Sequence, residues 1–283
     1  MAALNAWSAF ASGVATEDLE IELLLEALFQ RFGIDFRGYA RPVLRRRVQD
    51  LMQAQSLATI SALQERVLHQ QGAVSSLLRA LAVAPDTLFG EPARARQLRQ
   101  VLPAMLGSSP LPRLWLAECA GIGEAWTLAI LLAEAQLLSR AEVFATLANE
   151  ELLAEVREAT LPAASMPQFQ MLYEEGGGTG KLTDYFEVSG GRAVLLPQLA
   201  GRITWAHYSL VTDASFNEFQ AILCCRALPD FGPVLRQRVL RLFHESLARF
   251  GLLGLDSELS PSDSIAGKYH QLAAGQPWYK RVP

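Results

Sequence analysis

The sequence predicts an α/β protein in which a parallel sheet with helices on its outside follows a separate all-helical unit. From Thr16 to about Pro92 the chain shows helical apolar periodicity and almost no β-rich runs. After Gly107, short buried apolar runs alternate with helical stretches, which is typical of parallel strands joined by helical crossovers. A chain of 283 residues, 51% of them apolar, is long enough to bury a core in each unit.

The helical unit is predicted over residues 17–95, after an N-terminal tail of residues 1–16. Its first helix is expected to stop near Gly33, and its third to run from about Ile60 to His69. The second helix carries four arginines on its outer side: Arg41, Arg45, Arg46 and Arg47. Such a face is typical either of a docking surface for a partner protein or of a solvated surface without a partner.

The α/β unit is predicted over residues 96–283. Its strands are expected at four apolar runs: Leu114–Ala117, Val143–Thr146, Ala221–Cys225 and Leu252–Leu255. Asn149 is expected to cap a helix that begins at Glu150, and a long amphipathic helix is expected from Val234 to Phe250. A glycine-rich stretch at about 162–204 interrupts the alternation and predicts an inserted small β subdomain.

Composition excludes several classes of function. The three cysteines give neither a disulfide framework nor a zinc spacing, and the four histidines lack neighbours at ligand spacing, so no metal site is expected. A formal net charge of -4 spread over both signs argues against a nucleic-acid partner. With no export signal and no apolar run of membrane-spanning length, the sequence predicts a cytoplasmic protein without membrane insertion.

Three stretches resemble, in order and spacing, the CheR-type enzymes, which methylate glutamate side chains of chemoreceptors with S-adenosylmethionine. They are LLLEALFQRFGIDFRGYARPVLRRRV, LVTDASFNEFQAILCCR and RVLRLFHESLARFGLLGL. The resemblance runs from about residue 20 to the end. It implies an all-α N-terminal domain followed by a Rossmann-like S-adenosylmethionine-methyltransferase domain with a small β insertion. The ligand of such a sheet lies outside the carboxyl ends of its strands, so the loops there decide function.

The family's first cofactor segment ends in N-x-T-x-x-F-R, whose polar groups and arginine meet the cofactor carboxylate and the reacting centre. In this sequence the asparagine corresponds to Ala84, the threonine to Asp86 and the arginine to Gly90. An arginine holds a carboxylate through two charge-assisted hydrogen bonds, whereas glycine has no side chain and an aspartate repels the same group. The resemblance therefore implies that this loop has lost its role.

The family's second segment reads A-G-C-x-x-G-E-E-x-Y-S. Glu118 and Ile122 stand at its two glycine positions, where a Cβ would crowd a bound cofactor, and Gly123 replaces the first of the paired glutamates. Only Glu124 of the pair remains. It is either a residual cofactor carboxylate or an acidic residue that stabilises the positive end of the helix beginning beside it, and the second interpretation is favoured.

Four further family positions are also altered. The aspartate of the family's A-T-D segment, which would accept hydrogen bonds from the ribose hydroxyls, corresponds to Leu147. Two asparagine positions hold Ser209 and Ala227. The family's active-site tyrosine falls on Phe231, which lacks the hydroxyl that could orient the incoming glutamate.

These replacements imply severely weakened cofactor binding. At about 1 kcal/mol for an ordinary hydrogen bond and about twice that for a charged one, six or seven losses would cost roughly 7 kcal/mol if they added. We therefore expect no bound cofactor and no catalytic residues. The expected function is that of a CheR-like pseudo-methyltransferase in bacterial chemosensory signalling, with a chemoreceptor or another signalling protein as partner.

Two alternatives stay open on the sequence. One is an active S-adenosylmethionine-dependent protein-glutamate O-methyltransferase of chemoreceptors, which would bind S-adenosylmethionine or S-adenosylhomocysteine through an unusual set of contacts. The other is reuse of the vacated cleft for a different small molecule. The polar groups available for that role are Arg226, Glu124, Asp86 and Asp230.

Overall fold

The computed structural model describes residues 16–85 and 87–283, and it separates into two compact units. The first unit ends at Leu81 and the second runs from Ala82 to Pro283. The segment 82–95, which the sequence-based boundary assigned to the helical unit, lies in the second unit. Of the predicted tail 1–16, only Thr16 is among the described residues, and it is the first residue of a helix.

The first unit is all-helical in its described part. Its helices are α1 (Thr16–Phe32), α2 (Arg41–Ala54), α3 (Ile60–His69) and α4 (Ala73–Leu81). All four contribute fully buried leucines or valines to one core, for example Leu24, Leu44 and Leu77. The bounds predicted for α3 are confirmed, and the Thr59 hydroxyl caps this helix by accepting a hydrogen bond from the backbone N–H of Ala62 at 3.1 Å.

The second unit is built on a seven-stranded sheet. Its strands are β1 (Arg113–Leu116), β2 (Glu142–Leu147), β6 (Ile203–His207), β7 (Phe219–Cys224), β8 (Leu247–Leu255), β9 (Tyr269–Gln271) and β10 (Trp278–Arg281). Their order in the sheet is β6-β2-β1-β7-β8-β10-β9. The first five run parallel, and β10 is antiparallel to both β8 and β9. This is a Rossmann-like methyltransferase sheet, as the resemblance implied.

The inserted subdomain is a separate three-stranded antiparallel sheet. It consists of β3 (Leu161–Pro162), β4 (Phe186–Ser189) and β5 (Arg192–Leu195), with β5 in the middle. The predicted insertion reached to about residue 204, but Ile203 already belongs to the large sheet through its pairing with Val143.

Helices cover the large sheet and connect its strands. They are α5 (Pro92–Leu106), α6 (Ile122–Glu134), α7 (Glu150–Arg157), α8 (Met166–Glu175), α9 (Pro197–Ala200) and α10 (Pro233–Ser246). The predicted cap of α7 is confirmed, since Asn149 Oδ1 accepts hydrogen bonds from the backbone N–H groups of Glu151 and Leu152. The predicted end of α10 at Phe250 is wrong, because Leu247 pairs with Phe219 and starts β8.

Aromatic side chains pack around strand β1 in the second unit. The ring of Trp115 on β1 contacts four other aromatic rings, and its indole N–H donates to the hydroxyl of Thr146 on β2 at 2.9 Å. Helix α6 is buried along most of its length. Within the described residues no helix is both long and apolar enough to cross a membrane.

Candidate functional site

An open cleft lies at the carboxyl ends of β1 and β7, as expected for a ligand site of a parallel sheet. It holds about 490 Å³ of empty space, a figure that includes open solvent at its mouth. Apolar side chains dominate its wall, and its polar residues are Thr87, Glu91, Arg94, Glu124, Thr127 and Arg226.

One wall of the cleft is a tight turn at residues 87–90. The backbone N–H of Gly90 donates to the carbonyl of Thr87 at 2.9 Å, and Phe89 lies in the left-handed region with φ 53°. A Cβ on Gly90 would lie 2.5 Å from Thr87 Oγ1 and 3.0 Å from the Thr87 carbonyl oxygen. At the position where the family's motif has an arginine, any side chain would therefore require Thr87 to shift. Ala84 is exposed, and Asp86 lies outside the described residues.

We expect the substitution Gly90→Arg to lower the free energy of unfolding by about 2 kcal/mol, because its Cβ must displace Thr87. The matched control is Gly267→Arg, since a Cβ at Gly267 would meet nothing within 4 Å. Urea unfolding of both variants measures the difference. Equal stability of the two variants would show that the turn at 87–90 accommodates the arginine.

Two guanidinium groups in the cleft share one carboxylate. Arg94 Nε lies 3.0 Å from Glu91 Oε2, and Arg226 Nη1 lies 3.4 Å from Glu91 Oε1. Arg94 also donates to the carbonyl of Cys225 at 3.3 Å. Arg226 Nε is buried and has no hydrogen-bond partner among the described residues. Of these three residues, the sequence analysis named only Arg226 as a candidate. The spacing of Glu91 and Arg94, three residues apart, is typical of an ion pair on a helix and could have indicated the other two.

Glu118 lies in the loop after β1, in a left-handed conformation with φ 57°. Such a conformation is uncommon for residues other than glycine, which gives a second reason, besides crowding, for the family's glycine at this position. Burial raises the pKa of the Glu118 carboxyl to about 7, against the opposing effect of a hydrogen bond from the backbone N–H of Ala148. The nearby carboxylate of Asp230 raises this pKa further.

The loop after β2 offers no acidic side chain at the expected place. Leu147 is 1% exposed and packs into the large hydrophobic core, and Ile122 is partly buried against the same core. Glu124 lies in the first turn of α6 and also lines the cleft, so both interpretations made for it from the sequence fit its position. The ribose acceptor of the family's motif therefore has no counterpart at residue 147.

The remaining altered positions lie in the loops after β6 and β7. The Ser209 hydroxyl accepts from the backbone N–H of Val211 at 3.3 Å and thereby stabilises its own turn. Ala227 is 1% exposed and Phe231 is 6% exposed, so both pack into the protein. A short 3-10 turn, Leu228–Asp230, joins them and brings the Asp230 carboxylate close to Glu118.

The basic face of α2 is partly engaged within its own unit. Arg41 and Arg45 form ion pairs with acidic residues of α1, and Arg47 donates to the carbonyl of Leu81 at 2.8 Å. Arg46 is exposed. Exposed ion pairs contribute little free energy, so a partner could exchange one carboxylate for another at this face. In the described part of the chain, no group of three or more histidine, cysteine or acidic residues could hold a metal ion.

Both units match models of one protein family. The first matches the CheR methyltransferase all-alpha domain over residues 19–82. The second matches the CheR methyltransferase SAM binding domain, where SAM is S-adenosylmethionine, over residues 88–266.

Named relatives agree with these matches. A Pseudomonas putida protein named "Putative methyltransferase Cher3" is 34% identical over 243 residues, which cover 86% of this chain and 89% of that protein. "Chemotaxis protein methyltransferase 1" of Pseudomonas aeruginosa is 23% identical and is matched over 86% of this chain and 90% of its own. "Chemotaxis protein methyltransferase" of Listeria monocytogenes is 22% identical, over 82% and 87% of the two chains. The chain therefore belongs to the CheR methyltransferase family.

Proposed function

We propose that this chain is a CheR-family protein that has lost ordinary methyl transfer and serves bacterial chemosensory signalling in the cytoplasm as a protein- or ligand-binding component. The observation that carries the proposal is the turn at residues 87–90, which lines the cleft with Gly90 where the family's motif has an arginine and so offers no guanidinium group at that position. The proposal is further supported by the buried Leu147 and Phe231, which offer no polar group where the family's motifs have the ribose-binding aspartate and the active-site tyrosine.

Isothermal titration with S-adenosylmethionine and S-adenosylhomocysteine tests this proposal directly. With concentrations that detect dissociation constants up to about 1 mM, near -4 kcal/mol, we expect no binding of either compound. The chemotaxis protein methyltransferase of Pseudomonas aeruginosa, titrated under the same conditions, is the positive control. Micromolar binding to this chain would contradict the proposal and favour the active protein-glutamate O-methyltransferase, for which methyl incorporation into receptor fragments is the next measurement.

The proposed partner is a chemoreceptor or another signalling protein, and the α2 face with its four arginines, Arg41, Arg45, Arg46 and Arg47, is the proposed contact surface. Because acidic residues of α1 pair with Arg41 and Arg45, this face carries both negative and positive charges rather than positive charges alone. A partner surface with both acidic and basic residues would complement this face. Replacing an exposed ion pair within the protein by one with the partner costs little free energy.

A second candidate function is the binding of a small anionic molecule in the cleft. It is favoured by one observation, the buried Arg226 Nε without a partner among the described residues, next to a carboxylate that two arginines share. An arginine with a free donor in an apolar cleft is suited to a carboxylate or phosphate group. Native mass spectrometry of the purified protein would favour this function if a bound anion is released on unfolding.

A further inference from the structure

One corner of the large sheet presents basic and apolar side chains together. Strand β10 pairs with β9 so that Lys280 lies opposite His270, and beyond this pair the backbone N–H of Val282 donates to the carbonyl of Lys268 at 3.0 Å. Opposed residues and alternate residues of paired strands point to the same face of a sheet, so these four residues lie on one face. Lys268, His270 and Val282 are exposed, and Lys280 is partly exposed.

Phe250 lies beside this face, on a bulge of β8. Only Gln220 of β7 lies opposite residues 248–251 of β8, because the pairing passes from Phe219 with Leu247 to Ala221 with Leu252. Phe250 is 53% exposed, and the Lys280 ammonium lies 5.5 Å from the centre of its ring. Phe250 and the four residues of the adjoining face, Lys268, His270, Lys280 and Val282, form what we call the basic-aromatic patch.

The bulge holds Phe250 in a conformation that costs free energy. Its backbone has φ 64°, in the left-handed region that residues other than glycine seldom adopt. The turn is also tight, since a Cβ on Gly251 would lie 2.8 Å from the Leu247 side chain and 2.9 Å from the carbonyl oxygen of Ala248. Such strain is found at functional positions, so a role for the half-exposed ring is to be sought in contacts outside this chain.

The two lysines of the patch have no acidic partner in the part of the chain that the structure describes: no carboxylate there lies within ion-pair distance of Lys268 or Lys280. Glu258 binds the side chain of Gln271, which alternates with His270 and therefore points to the other face. The patch is thus positive in a protein whose formal net charge is -4. An acidic surface complements it.

We propose that the basic-aromatic patch is a docking surface for an acidic segment of a partner protein. Carboxylates of that segment meet Lys268 and Lys280, and an apolar side chain packs on Phe250 and Val282. The patch lies toward the amino ends of the parallel strands, because Lys280 pairs with Leu252 just after the bulge, whereas the cleft lies at their carboxyl ends. A lipid surface is disfavoured, since membrane recognition by basic residues takes clusters of about four to eight of them.

A fluorescein-labelled peptide of glutamate, aspartate and leucine residues is the probe, and fluorescence anisotropy measures its binding. The double variant Lys268→Glu, Lys280→Glu should bind about tenfold more weakly than the wild type, and Phe250→Gly about fivefold more weakly. Phe250→Gly should resist urea at least as well as the wild type, because glycine suits the left-handed backbone, so its weaker binding would not reflect misfolding. The matched control is Lys181→Glu, at an exposed position of the same unit, which should bind like the wild type.

Three results would overturn the inference. One is no binding of the peptide by the wild type, and another is binding that neither patch variant weakens, which would place the acidic segment elsewhere. The third is binding to vesicles with about 30% phosphatidylserine but not to the peptide, which would identify an anionic lipid surface instead. The peptide titrations contain no S-adenosylmethionine, so this inference and the proposed loss of cofactor binding fail separately.

Discussion

Replacing Asp263 with alanine is expected to lower the free energy of unfolding of the second unit by about 3 kcal/mol, because it leaves a partly buried arginine without its partner. The Asp263 side chain is 2% exposed and accepts two hydrogen bonds from Arg236, at 3.2 and 3.0 Å. It also accepts from Gln237 at 2.9 Å and from the backbone N–H of Ser260 at 2.9 Å. One carboxylate therefore ties the segment after β8 to helix α10.

Urea unfolding followed by tryptophan fluorescence measures this effect, since Trp115, Trp126, Trp205 and Trp278 all lie in the second unit. Burial alone would raise the pKa of Asp263, but the hydrogen bonds from Arg236 and from the backbone of Ser260 hold this pKa below its ordinary value. The Asp263 carboxylate therefore contributes to the free energy of unfolding above a pH of about 4, and this contribution is lost below that pH. The destabilisation caused by Asp263→Ala should accordingly be the same at pH 6 and pH 8.

The matched control for Asp263→Ala is Glu245→Ala, because Glu245 is an exposed acidic residue on the same helix as Arg236. That change should stay within about 0.5 kcal/mol of the wild type. A similarly small effect of Asp263→Ala would show that the ion pair is dispensable.

The second large effect expected is a pH dependence that Glu118 imposes on stability. The pKa of Glu118 is about 7 in the folded protein and near its ordinary value of 4.5 in the unfolded chain, so the folded state binds the proton more tightly. The stabilisation by protonation is fully present below pH 4.5 and is lost as pH rises through about 7. Between pH 5 and pH 8 the wild type should lose about 2 kcal/mol relative to Glu118→Gln, which keeps the shape but cannot ionise.

Unfolding curves of the two proteins at half-unit pH intervals measure this difference. Glu187→Gln, at an exposed position on β4, is the control and should follow the wild-type profile. Parallel profiles for the wild type and Glu118→Gln would mean that the Glu118 carboxyl is already ionised at pH 5, contrary to a pKa raised by burial.

Local signals in the sequence gave accurate predictions, and signals that depend on pairing across the fold did not. The cap at Asn149 and the bounds of α3 depend on neighbouring residues, and both are confirmed. The run Leu247–Phe250 continues a helical apolar pattern but pairs with β7, so tertiary contacts override its periodicity. Strands β9 and β10 are short and partly polar, and they were not predicted, because only pairing with β8 and with each other defines them.

The same limit applies to the candidate site. The sequence indicated that residues 90, 118 and 147 matter, since each departs from the family's motif. It could not indicate that Gly90 packs on Thr87 or that Glu118 has a positive φ, because backbone dihedral angles are set by bonds to neighbouring strands. The pairing of Glu91 with Arg226 joins positions 135 residues apart and has no local sequence signal.

The position of β10 inside the sheet bears on how the chain folds during its synthesis. Strand β10 lies between β8 and β9, the ring of Trp278 packs where a Cβ on Gly254 would be, and its indole N–H donates to Gln97 on α5 at 2.6 Å. A nascent chain that has not yet released residue 281 from the ribosome therefore exposes the hydrogen-bonding edge of β8. The second unit can complete its fold only after translation has passed this strand, and until then that open edge is a site for chaperones or for aggregation.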